Sequence, residues 1–399
     1  MSVTAVPLIG VEQRLEQLDA IVADLRLEDA VAERDRVLQY DAVERLRQAG
    51  ILALRVPVRY GGPGAGVRDV LAAVIRIGSG SSNVAQALRA HFGFSERLLS
   101  NRATEAERQV WFPKIAAGLV VGNAITDARG KAPGSADTTV LADADGLLRL
   151  NGHKFYSTGS LYADVIAVSA VDARGRDLQA IVPTDREGVE VSDDWDGFGQ
   201  RTTASGSTRF TDVVVEPAEV TTVSDGQHLG HSTTFLQLYL AAVAAGIAAA
   251  VRTDAVDYVR HRARPAAHSV ADTAAADPFV LRAVGEIAAS AAAAESVVLS
   301  AAERLDALVD GGDTADPDVL SRVAVAVAEA QLVAERLTLS AAERLFDTGG
   351  ASATARALNL DRHWRNIRTL ATHSPLDYKA YVAGDHAVNG TAPPANGYF

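Results

Sequence analysis

Apolar residues recur at helical spacing through the first third of the chain. The segments VEQRLEQLDAIVADLR and LQYDAVERLRQAG place apolar side chains three or four residues apart, and the second segment ends at Gly50. This spacing gathers the apolar side chains on one face of a helix, and glycine commonly ends a helix. Similar segments continue toward residue 120. We therefore predict an N-terminal domain of packed helices at residues 1–120.

The pattern changes to short β-rich runs in the region 121–225. The runs DVIAVSAV, LQAIVPT and TRFTDVVVEP are separated by turn sequences such as DADG and DREG. Short runs of β-branched residues between turn signals are typical of strands. Several such strands within roughly 100 residues predict a small β-barrel or β-sandwich.

Helical spacing returns, in longer segments, at residues 226–399. The most apolar run, FLQLYLAAVAAGIAAAV, begins at Phe235 and is rich in alanine. It is short for a bilayer span, so we expect a buried helix of a close-packed bundle. The tail NGTAPPANGYF predicts a loose end. The predicted fold class is mainly α with a central β-barrel.

Charge and composition exclude several classes of function. The chain has 399 residues and a net charge of −12, with its basic residues scattered along the sequence. A nucleic-acid partner is not expected, because a phosphate-binding face needs clustered Lys and Arg. The chain has no cysteine, which excludes disulfides, thiolate metal sites and a cysteine nucleophile, and we predict no metal site. The N-terminus lacks signal-peptide features, so we expect a cytoplasmic protein without a membrane partner.

A histidine precedes a predicted helix start near the end of the sequence. In the stretch ATHSPLDYK, Ser374 suits the N-cap of a helix and Pro375 suits its first position. His373 then stands at the electropositive end of that helix, where a neutral imidazole is favoured. The alternative is an ordinary loop histidine.

Five stretches carry a family resemblance. They are, in chain order, YGGPGAG, GNAITDARG, NGHKFYSTGSLYAD, WDGFGQRTTASGSTRFTDVVVEP and DRHWRNIRTLATHSPLDYK. Through them the chain resembles the acyl-CoA dehydrogenase superfamily, and within it the flavin-dependent monooxygenase branch typified by dibenzothiophene monooxygenase. The resemblance implies an N-terminal helical domain, a middle β-barrel and a C-terminal four-helix bundle. It also implies a flavin between the β domain and the bundle, in a homotetramer.

The catalytic carboxylate of an acyl-CoA dehydrogenase is missing from both of its family positions. Such an enzyme needs a base to remove the substrate α-proton. The loop before the last helix reads ATHSPLD, and the first bundle helix, HSTTFLQLYLAAVAAGIAAAVR, has no Asp or Glu. The resemblance therefore implies a monooxygenase that uses reduced flavin and O₂, through a C4a-(hydro)peroxide, to oxygenate a small apolar or aromatic molecule by S-oxidation, N-hydroxylation or ring hydroxylation. A dehydrogenase with a relocated base and a non-catalytic superfamily member are the alternatives.

The chain also lacks a site for a nicotinamide cofactor. GSGSSN and GFGQRT do not follow a strand that opens a βαβ unit, as a dinucleotide-binding turn requires. We therefore expect the oxygenase component of a two-component system, in which a separate NAD(P)H:flavin reductase supplies the reduced flavin. The branch implies FMN, used as FMNH₂, and FAD stays an alternative.

The resemblance assigns roles to individual residues. An oxygen adduct of flavin must be kept from water and held by hydrogen bonds. The catalytic candidates are His373, His91, Asn123 and Thr158. The cofactor-binding candidates are Asn123, Tyr156, Ser157 and Thr158 and, for the phosphate, Arg282, Arg264, Arg365 and Arg368. The substrate-pocket candidates are Phe92, Ser95, Trp195, Phe198 and Phe235. The alternative for each is an ordinary core, turn or surface residue.

Overall fold

Three structural parts follow one another along the chain. The computed structural model describes residues 10–101, 103–127, 137–143, 145–223, 231–310 and 316–399. Helices fill the first part, a sheet of nine described strands forms the second, and long helices form the third. The largest hydrophobic core is shared by the N-terminal helices and the bundle, and the sheet has a core of its own.

The first part consists of amphipathic helices joined by short turns. They are α1 (Val11–Asp35), α2 (Tyr40–Gln48), α3 (Val67–Gly80), α4 (Ser82–Ala87), α5 (Arg89–Leu99) and α6 (Glu105–Ala116). At the start of α6 the Thr104 hydroxyl accepts the Glu107 N–H and the Glu107 carboxylate accepts the Thr104 N–H, which forms a capping box. These contacts satisfy N–H groups that the first turn of a helix leaves without partners.

The strands of the second part form one mixed sheet. They are β1 (Val121–Ala124), β2 (Thr126–Asp127), β3 (Thr139–Ala142), β4 (Leu148–Phe155), β5 (Val165–Val171), β6 (Asp177–Pro183), β7 (Val189–Val191), β8 (Thr208–Val215) and β9 (Val220–Thr222). The order is β7-β8-β4-β3-β5-β6-β9, with β1 beside β5 and β2 beside β4.

The sheet is open, so the predicted β-barrel is not confirmed. A barrel closes only when its two edge strands pair with each other. Here the edges are β7 and β9, each three residues long, and they do not pair with each other in the described part of the chain.

The third part is built around one buried helix. Its helices are α7 (His231–His261), α8 (Pro278–Asp310), α9 (Pro317–Arg344), α10 (Arg362–Leu370) and α11 (Leu376–Asn389). Within the described residues, α7 and α8 are long and apolar enough to cross a membrane. In α7, however, 89% of the apolar stretch is buried inside the protein, as expected of a core helix. The close approach of α3 needs glycine, because a Cβ on Gly246 would lie 2.8 Å from Gly78 Cα.

The end of the tail is docked, which corrects the prediction of a loose end. The side-chain amide of Gln237, on α7, donates to the Gly397 carbonyl at 2.8 Å. The buried ammonium of Lys379, on α11, donates to the Tyr398 carbonyl and lies 4.5 Å from the Phe399 ring centre. The tail thus supplies the acceptors that a buried cation needs.

Candidate active site

The end of β1, a turn after β4 and the junction of α4 with α5 meet in one place. Gly159 has a φ of +79°, and a Cβ there would lie 2.1 Å from the Ala87 carbonyl oxygen. Only glycine therefore lets this turn pack on the end of α4. The Ser160 hydroxyl donates to the Asn123 carbonyl at 3.0 Å, which fixes the turn to β1.

Backbone strain is concentrated around the same turn. Tyr156, Gln200 and Ala204 have φ values of 56°, 54° and 51°, a region that side-chain-bearing residues rarely occupy. Main-chain hydrogen bonds hold the two segments together, from Ser157 N–H to the Gly206 carbonyl at 2.9 Å and from the Gly159 N–H to the Thr203 carbonyl at 3.0 Å. Strain of this kind is commonly found at functional sites.

Several buried polar atoms in this region have no hydrogen-bond partner among the described residues. They include Gln200 Oε1 and Thr202 Oγ1 of the facing segment and, in the predicted cofactor segments, two atoms: the Asn123 side-chain oxygen and the Ser157 hydroxyl. Buried polar atoms are nearly always paired, so these two are candidates for contact with a ligand. The neighbouring Thr158 hydroxyl is 2.8 Å from the Ser205 hydroxyl. Neutral amide and hydroxyl groups of this kind match the nitrogen and oxygen atoms of a flavin ring.

Tyr156 adds an accessible aromatic surface beside these polar groups. Its side chain is 61% exposed, and its ring centre is 6.0 Å from that of Trp195 in an edge-on arrangement. The Trp195 indole N–H donates to the Gln200 carbonyl at 3.0 Å. Both predicted aromatic residues thus stand beside the strained segments.

Arg89, which the sequence reasoning missed, contacts the predicted catalytic histidine. It is the first residue of α5. Its Nε donates to the Leu236 carbonyl at 3.1 Å, and its Nη1 is 3.4 Å from His373 Nε2. Burial lowers the pKa of Arg89 to about 10. Among the described residues no carboxylate forms an ion pair or hydrogen bond with it.

His373 begins a directed series of hydrogen bonds. Its Nδ1 is 3.3 Å from the Ser374 hydroxyl, which donates to the Gln237 side-chain oxygen at 3.2 Å. Arginine can only donate, so His373 Nε2 accepts from Arg89 and the ring proton belongs on Nδ1. His373 is an exposed residue by surface area, yet the groups packed around it partly desolvate the ring and lower its pKa, and the charges of Arg89 and Lys379 lower it further. The imidazole is therefore neutral near pH 7.

The helix start predicted beside His373 is displaced. Helix α11 begins at Leu376, and Pro375 precedes it with extended backbone. The N-cap position is held by Pro375, no side chain caps the helix, and the Ser374 hydroxyl donates to Gln237. His373 consequently belongs to the loop between α10 and α11 rather than to a capped helix end.

His91 has no ring nitrogen free for a ligand. It is fully buried; Nε2 is 2.7 Å from the Leu52 carbonyl, and Nδ1 accepts the Val121 N–H at 3.3 Å. Burial lowers its pKa to about 4. Ser95 is also fully buried, and its hydroxyl donates to the His91 carbonyl at 3.3 Å. His91 therefore joins α5 to β1, and its geometry gives no support to the predicted catalytic role.

The aromatic residues predicted for the substrate pocket lie in separate places. Phe92 and Phe235 are fully buried, and the ring centre of each lies 6.0 Å from that of Tyr239 in the main core. Phe198 is 54% exposed and stacks on Trp364 at the surface. Their place in a substrate pocket stays a prediction.

The four predicted phosphate-binding arginines are also dispersed. Arg365 is occupied by Glu33, with Nη2 3.0 Å from Oε2, and by Asp361. The exposed side chain of Arg282 pairs with Glu286 on the same helix. Arg264 is exposed and Arg368 is half-buried, and neither forms a hydrogen bond with another described residue. A phosphate contact from any of the four stays a prediction.

No carboxylate among the described residues forms a hydrogen bond with His373 or Arg89. Glu96, on α5, is fully buried and is held by Arg55 and by His231 Nε2 at 3.0 Å. Glu335, on α9, accepts from Gln331 at 2.8 Å, and burial raises its pKa to about 7. Its second oxygen has no hydrogen-bond partner in the described part of the chain. The described part of the site thus offers neutral and cationic groups.

Comparisons with known proteins agree with this architecture. Family models for the N-terminal, middle and C-terminal domains of acyl-CoA dehydrogenases match residues 16–119, 124–213 and 238–378. The chain belongs to the acyl-CoA dehydrogenase family. It is 32% identical over 368 residues to the probable FMNH₂-dependent monooxygenase SfnC of Pseudomonas putida, with 89% of each chain covered. It is 30% identical over 378 residues to dibenzothiophene monooxygenase of Rhodococcus erythropolis, with 90% of each covered.

Solved structures give the same result. FMN-bound TdsC from Paenibacillus sp. A11-2 matches with a TM-score of 0.89 at 29% identity, covering 97% of this chain and 100% of that one. Methanesulfinate monooxygenase MsuC from Pseudomonas fluorescens matches with a TM-score of 0.85 at 31% identity, covering 96% and 99%. The protein is a flavin-dependent monooxygenase with FMN as its cofactor, as the sequence motifs predicted.

Proposed function

We propose that this monooxygenase holds FMN at the end of β1 and at the turn 156–160, and oxygenates a small organosulfur or aromatic molecule beside Arg89 and His373. The observation that carries the proposal is that two buried polar atoms next to a strained turn, Asn123 Oδ1 and Ser157 Oγ, have no partner among the described residues. The absence of a carboxylate bound to His373 or Arg89 in the described chain supports oxygenation over proton abstraction.

Each residue has a defined task in this proposal. Asn123, Ser157 and Thr158 form hydrogen bonds to the flavin ring, and Tyr156 offers it an aromatic face. Bound FMNH₂ supplies the electrons that activate O₂. His373, neutral and fixed by Ser374, orients the Arg89 guanidinium and accepts a hydrogen bond at Nε2. Two of the compared proteins are named for dibenzothiophene and methanesulfinate, which favours sulfur as the atom oxygenated.

Partners follow from the same chemistry. A separate NAD(P)H:flavin reductase supplies FMNH₂, and O₂ is the second substrate.

We further propose a cytoplasmic homotetramer in which α8 contacts another copy of the chain. Only 28% of the apolar stretch of α8 is buried, and its side chains at Phe279 and Leu281 are largely exposed. Apolar surface of this extent is typical of an interface.

The test is FMN affinity in Ser157→Ala and Asn123→Ala, measured by quenching of FMN fluorescence. Each substitution removes a hydrogen bond that only the bound cofactor completes, so we expect FMN to bind about 5–10-fold more weakly, about 1 kcal/mol. Ser79→Ala, which removes a hydroxyl bonded to the Arg76 carbonyl of its own helix, should leave FMN affinity unchanged. Wild-type affinity in both site variants would contradict the proposal.

A dehydrogenase with a relocated base is the second candidate. The observation in its favour is Glu335, a buried carboxylate with one unpartnered oxygen. Anaerobic addition of octanoyl-CoA to the FMN-loaded protein tests it. Loss of the oxidised FMN absorbance in the wild type, but not in Glu335→Gln, would establish a dehydrogenase. We expect no loss in either protein.

A further inference from the structure

Arg89 is a partly buried cation without a counter-ion in the described chain. Buried arginines normally pair with carboxylates, because an isolated charge is expensive to remove from water. Among the described residues, the Arg89 hydrogen bonds are to a main-chain carbonyl and a neutral imidazole. Such an arrangement lowers stability, so its presence requires another reason.

The contacts of Arg89 fix its orientation and leave donors free. A guanidinium carries five N–H donors in one plane. The Leu236 carbonyl takes the Nε–H, and His373 Nε2 takes one Nη1–H. Three N–H groups therefore stay available, on a plane that two contacts hold in place. Two parallel N–H groups of a guanidinium match two oxygens carried on one atom.

The groups around Arg89 leave the region positive. Lys379 of α11 is a second buried cation, 3.3 Å from the Gln237 side-chain oxygen of α7. Tyr239 of α7 stays protonated, because burial raises the pKa of its phenol, and it donates to the Ala85 carbonyl. The negative charge of Glu335, on α9, acts to raise the pKa of Lys379. The Glu335 carboxylate, however, accepts its hydrogen bond from Gln331 and not from Lys379. A small anion would balance this charge.

We propose that Arg89 is a substrate-recognition residue that binds a small organic oxyanion carrying two oxygens on one atom, as an alkanesulfinate does. This inference rests on the proposed function and specifies its substrate class. With a sulfinate the reaction is RSO₂⁻ + FMNH₂ + O₂ → RSO₃⁻ + FMN + H₂O. Sulfur loses two electrons and gains one oxygen atom, FMNH₂ loses two electrons, and the second oxygen atom leaves as water. A carboxylate has the same two-oxygen geometry and is the other source of such an anion.

Calorimetric titration of the FMN-loaded protein with methanesulfinate tests the proposal. We expect binding in the wild type that is at least about 10-fold weaker in Arg89→Gln, as loss of a charged hydrogen-bonded contact predicts. Arg89→Lys keeps the charge without the planar fork, so its affinity should lie between the two. Arg174→Gln, an exposed arginine on the β5–β6 turn, should bind like the wild type.

Two parallel titrations distinguish a sulfinate ligand from a carboxylate ligand. They also distinguish failure of the Arg89 proposal from failure of the proposed function. Acetate binding with the same dependence on Arg89 supports the two-oxygen recognition and identifies a carboxylate as the source. Equal affinity of wild type and Arg89→Gln for methanesulfinate and acetate, or no binding of either, overturns it. FMN affinity and circular dichroism of each variant are measured first. If the wild type does not bind FMN, the proposed function is contradicted. In that case, titration of the FMN-free protein with methanesulfinate and acetate still decides the role of Arg89.

Discussion

Two arginine–histidine pairs lie in this molecule with opposite surroundings. At the start of α10, Arg362 Nε is 3.1 Å from Asp29 Oδ2, and its Nη2 is 2.8 Å from Asp254 Oδ2. His363 Nε2 lies 2.9 Å from the same Asp254 oxygen. Burial opposes the charge on Arg362, but the two carboxylates outweigh it and raise the pKa of Arg362. This pair carries its counter-ions within the chain.

The pair formed by Arg89 and His373 has no counter-ion in the described residues. Burial therefore lowers the pKa of Arg89, whereas the pKa of Arg362 is raised. An ion cluster that is complete within the chain joins α10 to α1 and α7. A cation such as Arg89, which has no carboxylate counter-ion among the described residues, is available to bind an anionic ligand. The same two residue types thus serve the fold in one region and, in our proposal, the reaction in the other.

The largest expected effect is on stability, in Arg362→Gln. The substitution leaves Asp29 buried without its cation and Asp254 with His363 alone, which costs about 3–5 kcal/mol. Urea unfolding followed by circular dichroism measures the change in unfolding free energy. Arg282→Gln, which breaks the exposed pair with Glu286, is the comparison and should cost less than about 1 kcal/mol. If the two variants lost the same unfolding free energy, the ion cluster at α10 would have no special structural role.

The second effect is the pH dependence contributed by His91, a histidine satisfied by main-chain atoms. An unfolded histidine takes up a proton near pH 6.5, whereas His91 in the folded protein does so near pH 4. The unfolded state therefore binds more protons between these values, and stability falls as the pH is lowered. The contribution is about 3 kcal/mol over this range. Unfolding of His91→Gln at several pH values should give a flatter curve than wild type, and parallel curves would contradict the assignment.

The third effect reverses the pattern of the first. Arg89→Gln removes a cation without a counter-ion, so we expect an unfolding free energy unchanged or raised by up to about 1 kcal/mol. The kcat/KM for oxygenation should fall at least 10-fold, about 1.4 kcal/mol of transition-state stabilisation. Steady-state oxygenation assays with a flavin reductase, paired with urea unfolding, measure both quantities. A stability loss like that of Arg362→Gln would make Arg89 a structural residue.

The smallest effect is expected for Ser374→Ala. This change removes the hydroxyl that links His373 Nδ1 to Gln237, a contribution of about 1 kcal/mol. The amount of oxygenated product per FMNH₂ consumed should fall two- to five-fold, with FMN affinity unchanged. Ser79→Ala serves again as the matched serine control. Full coupling in Ser374→Ala would show that the hydroxyl does not position the imidazole.

Local pattern predicted the order of helices and strands, and tertiary contacts decided what it could not. Periodicity indicates a strand but not whether β7 reaches β9, so the barrel was not confirmed. His91 and Arg89 stand two positions apart on α5, and the family resemblance pointed to the histidine alone. The Leu52 carbonyl and the Val121 N–H, distant in sequence, occupy that histidine. An arginine without a nearby acidic residue on its helix face was the available signal for Arg89.

The cofactor segments were easier to find than the substrate residues. Asn123 and Ser157 lie in the motifs GNAITDARG and NGHKFYSTGSLYAD, through which the family resemblance was seen. The proposed substrate contacts depend on side chains from α5, α7 and the loop before α11, whose meeting point no local pattern encodes. Phe92 and Phe235 illustrate this, because aromatic residues at these spacings serve equally well in a core.

The most direct measurement is the fate of isotopically labelled dioxygen. The FMN-loaded protein is supplied with a flavin reductase and with methanesulfinate or dibenzothiophene as substrate, and the products are analysed by mass spectrometry. We expect the product of the wild type to contain one labelled oxygen atom. When methanesulfinate is the substrate, Arg89→Gln should form little or no labelled product. Unlabelled products throughout, together with reduction of FMN by an acyl-CoA, would contradict a monooxygenase.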